Sequence, residues 1–339
     1  LIAGEDKASC HNSQRFVGAI GLPISGLSGR GPPPAIFPPA RVAVQSPTMP
    51  RAPAQPRPAP VAPTAPPPPA APRPFVKWAG GKTQLLPEIR RRMPERFAGY
   101  HEPFLGGGAV FFDVRPPRAR LTDLNADLID CYRTVRDDVE GLIAELTRLA
   151  GAGVDRDSFH RVRDLDPAGL PPVARAARLI YLNKTCYNGL YRVNRAGRFN
   201  VPFGRYKNPT VCDPDNLRAC AAALAGQSLE VAAFEQVLSH AAAGDFVYFD
   251  PPYQPLSATA NFTSYGAEGF DEDQQFKLAR TFVKLDRLGC RVMLSNSDSE
   301  LIHQLYRKYR IERVAARRAI NSNPGRRGPV YEVVVRNFG

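Results

Sequence analysis

The sequence predicts an α/β fold on a mostly parallel sheet, with a second, largely helical domain inserted midway. Three observations predict it. From Phe75 onward, short apolar runs bounded by turn residues alternate with amphipathic helical stretches. Two of those runs end in an aspartate, Asp123 and Asp250, where the carboxyl edge of an open parallel sheet receives its ligands. Between them, residues 183–215 turn polar and lose any clean period, being rich in Asn, Gly, Arg and Tyr.

Taken in order, Lys82–Arg92 reads as a short helix with Pro87 as a possible break. Gly99–Glu102 leads into the glycine-rich turn Phe104–Gly108 and the apolar run Ala109–Phe112. Arg120–Thr122 is a short strand that delivers Asp123, and Leu128–Leu149 one long helical region. Val173–Leu182 carries Ala, Leu and Ile at helical spacing. Phe246–Phe249 is a compact buried strand, Asp271–Leu288 an amphipathic helix, Arg291–Leu294 a strand, Leu301–Tyr309 a helix and Val330–Val335 a closing strand.

The stretch before Phe75 is of another kind. Residues 32–74 hold 18 of the 35 prolines. Proline has no backbone N–H, so helix and central strand are both closed to this stretch, and an extended, solvated tail is expected. Residues 1–30 lack a basic start followed by a continuous apolar run, so no secretory leader is expected.

The 339 residues carry a net charge of +13, of which +5 lies in residues 1–74 and the rest in the folded part. Such an excess favours a polyanionic partner. No run approaches 18 consecutive apolar residues, which argues against a membrane span. The six cysteines form no CxxC pair and histidines number only five. A zinc site or disulfide scaffold is therefore not expected, no metal is expected, and the chain reads as reduced and cytoplasmic.

Three short segments carry chemistry. Phe104-Leu105-Gly106-Gly107-Gly108 permits a tight turn and close approach of a ligand, although a plain turn would use the same residues. Gly80-Gly81-Lys82-Thr83 is not a phosphate-binding loop, because Val76 stands where such a loop needs glycine. Asp123 follows Phe104 by 19 residues; it suits a ribose hydroxyl partner or a simple helix cap. The sharpest segment is Asp250-Pro251-Pro252-Tyr253, directly after an apolar strand. The prolines lock the turn, so the Asp250 carboxylate and the Pro251 carbonyl can both accept hydrogen bonds from one exocyclic amine, and Tyr253 offers a ring for the base that carries it.

Asp250–Tyr253 is the DPPY motif of amino-group methyltransferases. Phe75–Lys82 resembles the FxKWAGGK start of the Dam-type DNA adenine-N6 methyltransferases of the D12 class, and Glu102–Gly108 resembles their S-adenosylmethionine (AdoMet) loop. The order of these segments matches the alpha arrangement of that superfamily. Tyr187–Arg192, Phe199–Lys207 and Pro255–Thr263 are similar to the GATC-specific branch. The resemblance spans about 75–338. It implies a Rossmann-like AdoMet-dependent methyltransferase sheet with an inserted, mostly helical DNA-recognition domain. The expected division is a tail at 1–74, a catalytic domain at 75–136 and 214–339, and target recognition at 137–213.

By the same resemblance, Trp78, Lys82, Phe104, Gly106, Gly108, Asp123 and Asp250 would line the AdoMet pocket, and Asp250, Pro251, Pro252 and Tyr253 would hold a flipped adenine. Lys77 and Arg192 would read guanines, Leu190 and Pro202 would touch the third base pair, Tyr187 would wedge beside the flipped base, and Asn188 would support the backbone there. These roles suit the chemistry, since Arg and Lys donate to guanine O6 and N7 and apolar side chains meet the thymine methyl. Arg195, Arg198, Arg205, Lys207, Arg317, Arg318, Arg326 and Arg327 are phosphate candidates. The expected partner is double-stranded DNA in the bacterial nucleoid, bound by a monomer. A cognate restriction endonuclease, or none, fits the same motifs, so housekeeping roles in replication and repair are not separable from host defence. The alternatives are an amino-methyltransferase acting on RNA, protein or another DNA site, and a DNA-binding protein that has lost catalysis. Cytosine-C5 chemistry is rejected, because no Pro-Cys nucleophile is present.

Overall fold

The computed structural model describes residues 71–256, 270–316 and 330–339. Most of the proline-rich tail, all of the Pro255–Thr263 segment after Leu256, and Arg317, Arg318, Arg326 and Arg327 lie outside the described residues.

The elements are α1 (Leu86–Arg92), β1 (Tyr100–Glu102), α2 (Ala109–Val114), β2 (Ala119–Asp123), α3 (Ala126–Asp137), α4 (Val139–Gly151), α5 (Arg156–Asp164), α6 (Pro172–Thr185), α7 (Pro214–Leu224), β3 (Ser228–Val231), β4 (Phe246–Phe249), α8 (Glu272–Arg287), β5 (Arg291–Ser297), α9 (Glu300–Leu305), β6 (Arg310–Ala316) and β7 (Val330–Arg336). They form one seven-stranded sheet in the order β3-β2-β1-β4-β5-β7-β6. The first five strands run parallel, and β7 enters antiparallel between β5 and β6. This is the α/β, mostly parallel sheet that the alternation of runs predicts.

The strand β4 explains how the sheet is sandwiched. Phe246 and Tyr248 join one apolar cluster with Leu121, Met293 and the α3, α4 and α6 side chains. Val247 and Phe249 join a second cluster with Leu278, Phe282 and Leu294. Period-two alternation thus fills both faces, and an unbroken apolar run is what a doubly covered strand requires.

Several boundaries differ from those expected. The helical region Leu128–Leu149 is two helices, because Asp138 leaves helical geometry (φ −146°, ψ 61°) and its side chain accepts the Gly141 N–H. Short carboxylates compete for backbone donors in this way and start helices rather than continue them. Pro87 stands in the first turn of α1 and starts that helix rather than breaking it. Arg73, within the stretch expected as tail, is tied to α7: its N–H donates to Asn216 Oδ1 at 3.0 Å and its carbonyl accepts from Asn216 Nδ2 at 3.0 Å. The strands β3 and β6 have no counterpart in the sequence reading. Both are edge strands with few buried side chains, so neither shows an apolar run. The helices α5 and α7 escaped for a similar reason, α5 burying only Ser158, Phe159 and Val162. No helix among the described residues is long and apolar enough to cross a membrane.

One side chain of α6 joins the start of the folded chain to the polar loop after that helix. Asn183 is 2% exposed. Its Oδ1 accepts the Lys77 N–H at 2.8 Å, and its Nδ2 donates to the carbonyls of Lys77 and Gly189 at 2.8 and 2.9 Å. Asn183→Ala strands all three backbone groups and is expected to lower stability by about 2 kcal/mol in urea unfolding; an unchanged midpoint would show that water replaces the amide without cost.

Candidate active site

The strand order reverses direction between β1 and β4. At such a switch point the carboxyl ends of two neighbouring strands open a crevice, and the loops that follow them line it. Here those loops are Pro103–Gly108 after β1 and Asp250–Tyr253 after β4.

The glycine loop is held by its neighbours' polar groups. Gly106 N–H donates to Asp123 Oδ2 at 3.0 Å and Gly106 carbonyl accepts from Tyr132 Oη at 3.1 Å. Asp123 Oδ1 accepts the Asn125 N–H at 2.9 Å. Burial raises the Asp123 pKa, and these N–H donors oppose that shift. Gly106 and Gly108 have φ of +48° and +66°. A Cβ on Gly108 would sit 2.7 Å from Tyr132 Oη, and one on Gly106 would sit 2.9 Å from Trp78 Cδ1. Only glycine leaves this cradle open. Trp78 lies against the loop and stacks on Tyr191 with ring centroids 5.3 Å apart, while Tyr191 Oη donates to Asp127 at 2.7 Å. Beneath the loop, Glu102 is 2% exposed and accepts from Tyr100 Oη at 2.7 Å. Burial pushes its carboxyl up to about 8, against the Tyr100 hydroxyl and the Phe111 N–H.

In the second loop, Lys82 Nζ lies 2.7 Å from Asp250 Oδ1, donates to the Gly80 carbonyl at 2.5 Å, and stands 4.7 Å from the centre of the Tyr253 ring. Lys82 is 4% exposed. Asp250 Oδ1 is sealed, with Lys82 as its charged neighbour, so the 18% exposure of the side chain falls on its other atoms. Burial raises the Asp250 carboxyl to about 6, and Lys82 pulls in the opposite direction. Tyr253 Oη donates to Glu332 Oε2 at 2.6 Å.

A second group of residues forms one irregular unit after α6. A short 3-10 turn, Tyr187–Gly189, is followed by a hairpin closed by Cys186–Phe203 and Val193–Phe199 bridges. Tyr187 N–H donates to the Pro202 carbonyl at 2.8 Å. Asn188 has φ +56° and donates its N–H to Tyr206 Oη at 3.0 Å. Arg192 Nε donates to Asn200 Oδ1 at 2.7 Å. Tyr187, Asn188, Arg192, Pro202, Arg205 and Lys207 are exposed and Leu190 is half-buried. Lys77 joins this unit, with Nζ 5.0 Å from the centre of the Tyr206 ring. Residues 183–212 contain six basic side chains and no acidic one. Among the described residues none of Lys77, Lys184, Arg192, Arg195, Arg198, Arg205 or Lys207 forms an ion pair, whereas arginines elsewhere pair widely.

The fold therefore brings Trp78, Lys82, Gly106, Gly108, Asp123, Asp250, Pro251, Pro252 and Tyr253 to the switch point, and the exposed cations to the neighbouring loop. Phe104 differs from the rest. Its ring stacks on Phe234 at 5.4 Å and packs with Phe249 and Phe270, in the apolar cluster of the opposite sheet face. Sequence reading missed Glu332, Asn183, Tyr191 and Glu102. For Glu332 a signal existed, a lone carboxylate inside the apolar run Val330–Val335.

A parallel sheet whose switch point joins a glycine loop to an Asp-Pro-Pro-Tyr turn defines an amino-group methyltransferase. The comparisons narrow that class. The family model for D12 class N6 adenine-specific DNA methyltransferases matches residues 78–320, and the chain belongs to that family. It is 43% identical over 273 residues to the "Type II methyltransferase M1.LlaDCHI" of Lactococcus lactis subsp. cremoris, covering 79% of this chain and 96% of the relative. It is 41% identical over 286 residues to the "Type II methyltransferase M.MjaIII" of Methanocaldococcus jannaschii, covering 78% and 99%. It is 39% identical over 266 residues to a "DNA adenine methylase" of Serratia marcescens, covering 77% and 97%. The protein is a DNA adenine-N6 methyltransferase, and its family implies AdoMet as methyl donor.

The pKa of Asp250 gives a test. With DNA and AdoMet limiting, kcat/KM for methyl transfer is expected to rise with pH through an apparent pKa of about 6 and then level off, the outcome if the ionised Asp250 carboxylate accepts a hydrogen bond from the reacting amine. Lys82→Met removes the cation that holds this value down, so the midpoint should move upward. A wild-type profile that is flat between about pH 5 and 8 would dissociate Asp250 from the reaction.

Proposed function

We propose that the switch-point crevice takes an adenine flipped out of double-stranded DNA, within GATC, and that the acid-free loop after α6 reads the site. The observation that carries this reading is the loop's set of unpaired cations, tied through Asn183 to the segment that supplies Lys82 to Asp250. A basic surface without ion pairs among the described residues suits phosphates and guanine edges.

On this reading AdoMet supplies the methyl group as a sulfonium. The open cradle at Gly106 and Gly108 fits such a ligand, with Trp78, Lys82, Asp123 and Asp250 around it and Phe104 approaching from the aromatic cluster. Asp250 and the Pro251 carbonyl accept hydrogen bonds from the two N6–H groups, which concentrates the nitrogen lone pair toward the methyl; the N–C bond forms as the sulfonium S–C bond breaks, and one of the two N6 protons leaves through the Asp250 carboxylate. Tyr253 stacks on the base, its hydroxyl fixed by Glu332. Alignment of the two reactants contributes much of the remaining rate advantage. Lys77 and Arg192 read guanines, Leu190 and Pro202 meet the third base pair, Tyr187 fills the gap left by the flipped base with Asn188 behind it, and Arg195, Arg198, Arg205 and Lys207 hold phosphates. The names of the two type II relatives support modification beside a cognate restriction endonuclease; on the same reading the enzyme acts on cytoplasmic DNA as a monomer.

The test maps N6-methyladenine on unmethylated plasmid after incubation with AdoMet. Methylation confined to GATC in wild type and lost in Asp250→Ala supports the reading; methylation at another sequence removes the roles given to Lys77, Leu190, Arg192 and Pro202. Arg205→Ala and Lys207→Ala should weaken DNA binding evenly across sequences, each reducing the slope of log K against log salt by about 1. An unchanged slope would place both side chains off the backbone.

A further inference from the structure

Two uncharged side chains that no motif contains lie fully buried behind the Asp250–Tyr253 turn. Gln275 on α8 and Asn296 on β5 are each 0% exposed. Asn296 Oδ1 accepts the Gln254 N–H at 3.0 Å and the Ser297 N–H at 2.8 Å. Asn296 Nδ2 donates to Gln275 Oε1 at 3.1 Å, and Gln275 Nε2 donates to the Pro252 carbonyl at 3.1 Å. The direction of every bond is dictated. Two backbone donors fix Asn296 Oδ1 as acceptor, so its amide nitrogen faces Gln275, and the nitrogen of Gln275 must face Pro252.

The relay grips the backbone on both sides of Tyr253, at the carbonyl before it and the N–H after it. It leaves the Pro251 carbonyl with no hydrogen-bond partner among the described residues. Packing alone would be served by leucine or methionine at both positions, while a closed chain of buried amides fixes one geometry. We propose that Gln275 and Asn296 are positioning residues for methyl transfer: they hold the Pro252–Gln254 backbone so that the Pro251 carbonyl and the Tyr253 ring face the acceptor base. This rests on the reading of Asp250–Tyr253 as the acceptor turn.

The test measures single-turnover methyl transfer, the dissociation constants for DNA and AdoMet, and thermal unfolding, for the full chain across pH. Gln275→Met keeps the volume and removes the grip on the Pro252 carbonyl, while Asn296 keeps its bond to the Gln254 N–H. It should lower the transfer rate by about 100-fold, the scale of a misplaced reactive group, with both dissociation constants within about 3-fold of wild type. Gln275→Glu still accepts from Asn296, but donates to Pro252 only when its carboxyl is protonated. Its rate relative to wild type should therefore climb as pH falls, while the ratio for Gln275→Met stays flat. A transfer rate for Gln275→Met within about 2-fold of wild type, or a loss confined to DNA or AdoMet affinity, overturns the proposal. If Gln275→Met fails to fold, the pH dependence of the Gln275→Glu ratio decides, and a flat ratio overturns it. Asp250→Ala separates the two levels: if that variant stays active the acceptor-turn reading has failed, and if it is inactive while Gln275→Met is fully active only the relay has failed.

Discussion

A buried ammonium group needs an anion, and at Lys82 that need organises the site. With 4% of its surface exposed, Lys82 finds Asp250 at 2.7 Å and the Tyr253 ring at 4.7 Å. Pairs of this kind add little net stability, because desolvation of both partners offsets their attraction, but removing one partner leaves a charge that the interior cannot tolerate. The pair therefore constrains geometry. It docks the segment before the first strand onto the carboxyl end of the central strand, and it holds the Asp250 carboxylate with one oxygen sealed and the rest of the side chain partly open.

Backbone ties do the same for the two loops beside it. Asp123 spends one oxygen on Gly106 and the other on Asn125, which makes the carboxylate a clamp on the glycine loop; each oxygen retains a lone pair for a ligand. Asn183 uses both ends of its amide to bind Lys77 and Gly189. A Cβ on Gly189 would lie 2.6 Å from Lys77 Cδ, so the absence of a side chain there lets Lys77 cross the loop. Trp78 then bridges the two sides, stacked on Tyr191 of the basic loop and resting on Gly106 of the crevice. The donor cradle and the reading loop are thus parts of one packed structure.

Much of this was legible beforehand. Apolar runs marked β4, β5 and β7 because central strands are buried on both faces, whereas β3 and β6 lie at edges and carry too few apolar side chains to show. Positions of the glycine loop and the Asp-Pro-Pro-Tyr turn were legible because backbone restriction is local: glycine and proline announce it wherever they stand. Phe104 was harder to place, since an aromatic residue in a ligand-like motif says nothing about which face of the sheet its ring will join. Glu332, Gln275 and Asn296 carried no local restriction at all, and their meaning depends on partners far away in the chain.

The sequence by itself determined the strand–helix alternation, the tight turns, the excess of cations and the identity of the motifs, because those properties are set within a few residues. Only the tertiary structure decided that Lys82 neutralises Asp250, that Glu332 holds the hydroxyl of Tyr253, and that two buried amides grip the turn between them. The physical reason is that burial and hydrogen-bond partnership are properties of pairs brought together by the sheet, and strand order is not written at any single position.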